Sequence, residues 1–307
     1  MYIYTMPSTI VLTSNNIVDT ANNSTFVYNF PSAVNFDNHE IAIESISLNY
    51  AWENVRSVQP FNNNLFRYQW QTGNLVIEYD VLLPDGLYEV TDINAFFQYE
   101  MMKRGHFLIN ASGQNVFYAE FVVNTSTFSV DINTYPVPTS LPTGFSTPTA
   151  DSASYLSGWG GFPPNQFNPS INLVSTNNFH KLIGHANDLV TGLNLSSSST
   201  NGKNLSFSST TAPEIHPNTN VFLSINNIQN IYANPSSIIH NFVASGSFGS
   251  QILDRPNEFA FNNLIRGQYN ELRVQILGSN FQPLKILDPS IVIVMLIREQ
   301  GQQMVSL

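Results

Sequence analysis

Hydrophobic positions along this chain recur mostly with a period of two, and seldom with the period of a helix. Between residues 271 and 277, Leu272, Val274 and Ile276 point one way and Glu271, Arg273 and Gln275 the other. That alternation predicts a strand with one face in a core and one in water. Residues 291–297, Ile-Val-Ile-Val-Met-Leu-Ile, are apolar throughout. Seven residues are too few to cross a bilayer, which takes about 20 as a helix, so the run predicts a strand buried on both faces. A turn-rich connection from Gly278 to Pro289 separates the two. A β-sandwich that inserts its last strand at the centre of a sheet would end in this way.

The first seventy residues carry further strand patterns. Ile10-Val11-Leu12 is short, and Phe26, Tyr28 and Phe30 alternate. From Glu40 to Tyr50 the phase changes: Ile41 and Ile43 share one parity, Ile46, Leu48 and Tyr50 the other. A one-residue slip flips the buried face. It predicts either a β-bulge near Glu44-Ser45 or a strand that passes between the environments of two sheets. Phe66, Tyr68 and Trp70 then alternate with Arg67 and Gln69.

The middle of the chain differs. Leu75, Ile77, Tyr79 and Val81 predict a strand ending at Pro84-Asp85-Gly86. A helix follows over 91–104, with Thr91 or Asp92 as N-cap, Ile93, Phe96, Phe97, Glu100 and Met101 at helical spacing, and Gly105 as the stop. Residues 116–123 and 128–132 predict a hairpin around 124–126. Residues 136–169 read as long loop, 179–184 as a short helix and 191–213 as an exposed Ser/Thr/Asn-rich excursion. Strand patterns resume with Val221, Leu223 and Ile225, then Ile238-Ile239 and Phe242-Val243, then Phe259 to Phe261, then the two closing strands. About four strands before the helix and about five after it predict an all-β fold, a single jelly roll with an α+β insertion. The expected parts are 1–71 and 216–307 for the jelly roll and 72–215 for the insertion. No repeat of period 20–50 is present, which argues against a propeller or solenoid.

Composition sharpens this picture. Charged residues are 10% of the 307, against a usual value of about 25%. The surface is therefore built from Asn, Ser, Thr and Gln, and does little to repel copies of itself. That suits a protein packed beside its neighbours; an Asn-rich composition inherited from an AT-rich genome is the other reading. The net charge is −10, and the 11 Lys and Arg are scattered. Counterion release on nucleic acid needs clustered cations, so direct DNA or RNA binding is not expected. There are no cysteines, which excludes disulfides, thiolate metal sites and Cys nucleophiles. Residues 1–6 have no basic or strongly apolar region, so no secretory signal is expected there.

The candidate chemistry is sparse. His39, His106, His180, His185, His216 and His240 form no His-x-x-x-His pair, and His180 and His185 are badly spaced for one helical face. No metal or other cofactor is expected. The Gly-rich run from Ser157 through Trp159 to Gly161 neither follows a strand nor opens a helix, so a phosphate cradle is not expected. Asp80, Asp85, Glu89 and Asp92 cluster in sequence and would suit a glycosidase only if two of them faced a cleft; turn and capping roles are the simpler reading, as for Asp254 and Asp288. Tyr68, Trp70, Trp52 and Trp159 are available for sugar stacking, although strand-face aromatics more often fill a core. No catalytic site and no enzymatic activity are expected.

Blocks of the sequence resemble a known family. The closing run of Tyr269 to Leu277, Pro283-Leu284, Leu287-Asp288-Pro289 and 291–297 is similar to the closing strands of the minor capsid, or penton, proteins of virophages and polinton-like viruses. Residues 51–55, 62–66, 83–88, 91–94, 179–184 and 238–242 match further blocks in the same order. The resemblance implies a jelly roll with a mid-chain insertion, acting as a homopentamer at an icosahedral vertex beside the major capsid protein. The expected location is the virion, after assembly inside the host cell. It also makes the insertion a candidate for receptor or glycan contact. The chief rival is a carbohydrate-binding, fibre- or lectin-like jelly roll; a glycosidase sandwich is the second. Sequence names no interface residues.

Overall fold

The computed structural model describes residues 7–59, 61–151, 156–185, 203–215, 218–246 and 248–300. Three strands open the chain: β1 (Ser8–Leu12), β2 (Thr25–Asn35) and β3 (His39–Asn49). There follow β4 (Leu65–Thr72), β5 (Leu75–Leu82), helix α1 (Val90–Lys103), β6 (Leu108–Ile109), β7 (Asn115–Val116), β8 (Ala119–Asn124), β9 (Ser129–Thr134), β10 (Ser170–Asn172), the single turn α2 (Phe179–Leu182) and β11 (Leu205–Ser208). The chain continues through β12 (Asn220–Ile225), β13 (Ile238–Val243), β14 (Gln251–Asp254), β15 (Asn262–Asn263), β16 (Gln268–Leu277) and β17 (Val292–Glu299). The described chain divides into two compact units. One runs up to Glu53 and resumes at Asn218; the other is Asn54–Ile215.

In the first unit one sheet has the order β1-β17-β3-β14, with β15 also on β3, and the other the order β13-β12-β16-β2. Every pairing is antiparallel. Lettering the eight longer strands B to I in chain order gives sheets B-I-D-G and C-H-E-F, the jelly-roll arrangement. The second unit occupies the D-to-E connection. The fold is thus an all-β jelly roll with an α+β insertion.

The alternating strand at 271–277 orients as its pattern dictates: Leu272, Val274 and Ile276 are fully buried. The last strand lies between β1 and β3, at the centre of its sheet. Only its inner face is fully enclosed. Ile293 and Met295 are buried, whereas Val292 is exposed and Val294 half-buried. On the outer face Val292 and Val294 meet solvent but Leu296 is buried, so the expectation of burial on both faces holds only towards the end of the strand. The phase change in β3 is a β-bulge: Val294 faces Ser45 and the next residue, Met295, faces Ile43, which leaves Glu44 unpaired in the ladder. No strand forms at the expected 259–261; the strands on either side are β14, four residues with one buried side chain, Ile252, and the two-residue β15. Phe261 lies under the Arg298 guanidinium, 3.6 Å from its centroid. The loop after β16 is pinned by Lys285, whose Nζ donates to both carboxylate oxygens of the buried Glu53 at 2.9–3.0 Å.

The insertion begins earlier than the expected boundary at 71/72. The aromatic stripe of β4 belongs to its core: Phe66, Tyr68 and Trp70 are buried with α1 and β8, and β4 pairs with β5 and β10. Phe66 stacks on Phe179 at 4.6 Å and meets Phe97 and Phe121 edge-on at 5.3 and 5.2 Å. A second sheet, β11-β9-β8, carries Phe121, Val130 and Ile132 into the same core. The hairpin at 119–134 and the short helix at 179 lie as the sequence predicts. Helix α1 starts at Val90, so Thr91 and Asp92 stand inside its first turn, and the Asp92 carboxylate accepts the Glu89 N–H at 2.9 Å. Part of the expected excursion at 191–213 is strand β11, paired with β9; residues 191–202 lie outside the described residues. Gly105 ends α1 at φ +70°, and a Cβ there would lie 2.5 Å from the Ser157 carbonyl oxygen.

Two outcomes are expected from this core. Phe66→Ala should lower the stability of the insertion by roughly 3–5 kcal/mol, the cost of a large cavity in a packed aromatic cluster. Gly105→Ala should cost about 1 kcal/mol or more, because it combines left-handed backbone with a clash. Denaturant unfolding of each variant measures both; an unchanged midpoint for Phe66→Ala would contradict the assigned core.

Candidate functional site

The candidate chemical groups are dispersed into structural roles. His39 lies beside the Asp37 carbonyl, 2.8 Å from its ring nitrogen. His106 is buried in the insertion, with the Tyr68 hydroxyl 2.8 Å from its Nδ1 and Trp70 stacked on it at 4.6 Å and 11°. His180 contacts the Asn177 carbonyl, and His185 the Val130 carbonyl, each at 3.2 Å. His240 reaches from β13 to Asp254 on β14 at 2.6 Å, joining the two sheets of the jelly roll. His216 lies outside the described residues. Among the described residues no three His, Asp or Glu side chains are grouped to hold a metal ion.

The carboxylates behave alike. Asp80 pairs with Arg67 at 2.5 Å, Asp85 accepts the Ser57 N–H at 2.7 Å, and Asp92 serves the start of α1. Asp288 accepts from Asn49 and from the Ser290 N–H; these bonds hold its pKa below the usual carboxylate range. The Gly-rich run packs beneath the end of α1, with the Ser157 N–H on the Lys103 carbonyl. The aromatics named for sugar stacking are spent on packing. Tyr68, Trp70 and Trp52 are at most 2% exposed, and Trp159 stands edge-on against Trp70.

What the jelly roll offers instead is surface. On the outer face of the β1-β17-β3-β14 sheet, Val11 faces Val294, which faces Ser45; Val292 faces Ser47, which faces Leu253. These two rows contain no charge. Ion pairing consumes much of the scarce cation content: Arg67, Lys103, Arg104, Arg273, Lys285 and Arg298 all pair with carboxylates of the same chain. At the edge where β1 and β2 adjoin, the sandwich is incompletely filled. A cleft of about 410 Å³ opens there, lined by Ile10, Tyr28, Phe30, Val34, Phe36 and Ile297, with Ser8, Thr9, His39, Arg298 and Glu299 around them. The sequence marks Tyr28 and Phe30 only as alternating positions of a strand and does not foretell this opening. It lies where the pairing between β2 and β16 is broken, residues 30–33 standing opposite Asn270.

No protein-family profile matches the chain, and no curated protein matches it. Among solved structures the chain is similar to the penton protein of mavirus, with 13% identity over 95% of this chain and 97% of that chain and a TM-score of 0.40. It is also similar to a chain of the Sputnik virophage structure, with 12% identity, the same coverage and a TM-score of 0.39.

The buried histidines make a pH dependence legible. Burial, assisted by the nearby Arg104 charge, pushes His106 down to about 3, and burial lowers His185 as well. An unfolded histidine titrates near 6.5. Below that pH the unfolded chain takes up protons that the folded chain refuses, so stability present above about 6.5 is lost as the pH falls toward 3. The slope expected from His106 is about 1.4 kcal/mol per pH unit. His106→Gln, which keeps an acceptor for the Tyr68 hydroxyl, should flatten that slope in thermal melts between pH 6.5 and 4. An unchanged slope would show that His106 does not carry it.

Proposed function

We propose that this chain is a structural subunit of a viral capsid and works as a homopentamer at the vertices of an icosahedral particle, beside the major capsid protein. The observation that carries this reading is the jelly roll itself. Two rows of its outer sheet face are uncharged and partly apolar, and its D-to-E connection is enlarged into a separately packed unit. Five copies about a cyclic axis make head-to-tail contacts that close a ring. A surface in which charged residues are sparse lets copies approach at low electrostatic cost. The ordered sequence blocks from residue 51 to residue 297 support the same reading. In it the chain acts by shape, without catalysis or cofactor, resides in the virion and contacts no nucleic acid directly. The insertion remains available for a receptor or glycan. The rival carbohydrate-binding reading lost three of its sugar-stacking aromatics, Tyr68, Trp70 and Trp52, to the packed interior.

Sedimentation of the full chain over a wide concentration range, alone and with the major capsid protein, tests the proposal. The expected result is a concentration-dependent species five times the mass of the 34.3 kDa chain, favoured by mass action. A monomer under every condition that nevertheless binds glycans at a defined site would favour the rival instead.

A further inference from the structure

The insertion carries a polar sheet face that ends in an exposed aromatic side chain on left-handed backbone. Strands β8, β9 and β11 pair so that Ser206 faces Asn133, which faces Glu120, and Ser208 faces Asp131, which faces Val122. Alternate residues of a strand point the same way, so these side chains share one face. The opposite face of the sheet carries Phe207, Ile132 and Phe121 into the core of the insertion. On the polar face Ser206 and Ser208 are exposed, and Val122 is 37% exposed.

The carboxylates of this face are held in place. The Asn133 side-chain amide donates to Glu120 Oε1 at 3.3 Å, and the Tyr135 hydroxyl donates to the same oxygen at 2.6 Å. Among the described residues Oε2 of Glu120 has no partner and stays open as an acceptor. The Asn124 side-chain amide donates to Asp131 Oδ2 at 3.1 Å. Fixed carboxylates beside amides and hydroxyls supply the directed acceptors and donors that a polyhydroxyl molecule needs. Hydroxyl bonds to a carboxylate are also stronger than those between neutral groups.

Phe128 stands at the tip of the β8–β9 hairpin, next to Ser129. Its φ is +52° and it is 75% exposed. Left-handed backbone favours Gly or Asn, and a bulky residue there is an outlier. Burial does not offset the strain. The position breaks two local rules without a gain inside the chain, which is the mark of a residue kept for a partner.

The surroundings select the class of partner. Protein interfaces are depleted in Glu, Asp and Ser, the residue types that make up much of these two rows. Two carboxylates with no cation in either row repel an acidic ligand. A neutral sugar fits both features: its C–H face stacks on an aromatic ring, and its hydroxyls donate to carboxylates and accept from amides. Three strands are about 10 Å wide and the stretch from Asn133 to Ser129 about 13 Å long, room for one or two sugar rings. We propose that the outer face of β8, β9 and β11, with Phe128 at its end, binds a neutral glycan. The site lies wholly within the insertion and gives its available surface a ligand class; it does not depend on the pentamer.

Glycan-array binding by the full chain, read beside its melting temperature and its sedimentation, tests the proposal. The probes are neutral oligosaccharides of glucose, galactose, mannose and N-acetylglucosamine, with sialylated and sulfated ones for comparison. Members of the neutral set should bind. Phe128→Gly should weaken that binding about tenfold or more and raise the melting temperature, because glycine relieves the left-handed backbone. Glu120→Gln and Asp131→Asn should each weaken it about tenfold with sedimentation unchanged. A folded full chain that binds no neutral glycan overturns the proposal, as does a preference for the acidic set. A lower melting temperature for Phe128→Gly would make the ring a packing residue and overturn it too. So would a Phe128→Gly chain that loses the major capsid protein and keeps its glycans. None of these results bears on the pentamer, which sedimentation of the parent chain tests separately.

Discussion

The jelly roll depends on the insertion of β17 between β1 and β3. Among the described residues strand β1 joins its sheet only through β17, so residues 8–12 cannot be built in until residues 292–299 are present. The ladder from Val292 to Glu299 on β3 runs the full length of the strand, with one interruption where Glu44 is passed over. That bulge keeps Ile41 and Ile43 and, past it, Ile46 and Leu48 directed into the core despite the change of parity between them. A one-residue slip elsewhere would turn β17's buried face, Ile293 and Met295, to solvent. Contacts spanning almost the whole chain imply slow, late closure of the sandwich.

The enlarged D-to-E connection is compatible with that constraint because loop-closure entropy grows only slowly with length. The insertion moreover has its own core, in which Phe66, Phe97, Phe121 and Phe179 form one aromatic cluster. Its buried polar groups are mostly committed. Asn54 donates to the carbonyls of Tyr88 and Ile215 and so ties the start of the unit to its end. In the jelly roll the paired Glu53 and Lys285, and His240 with Asp254, do comparable work. The result is a chain that uses much of its scarce cation content in internal ion pairs, and whose outward surface is polar and carries a modest excess of carboxylates.

Much of this was legible from residue patterns. Period two identified β16, a dense apolar run identified β17, and a parity change located the bulge at Glu44. The helix and the 119–134 hairpin followed from turn and capping residues. Three things were hidden for physical reasons. The stripe of Phe66, Tyr68 and Trp70 shows which face of β4 is buried but not which core receives it, so the boundary was set too late. Strand β14 has a single buried side chain and offers almost no period to detect. The cleft at the β1–β2 edge arises from what is missing between two sheets, and no linear pattern encodes a vacancy.

The central claim is that this chain is a vertex subunit. Reconstruction of purified particles that contain it addresses that claim most directly. The account predicts five copies of a jelly roll with sheets B-I-D-G and C-H-E-F around each five-fold axis, with the unit at 54–215 resolved as part of each copy. Vertices built from another protein, with this chain elsewhere or absent, would contradict it.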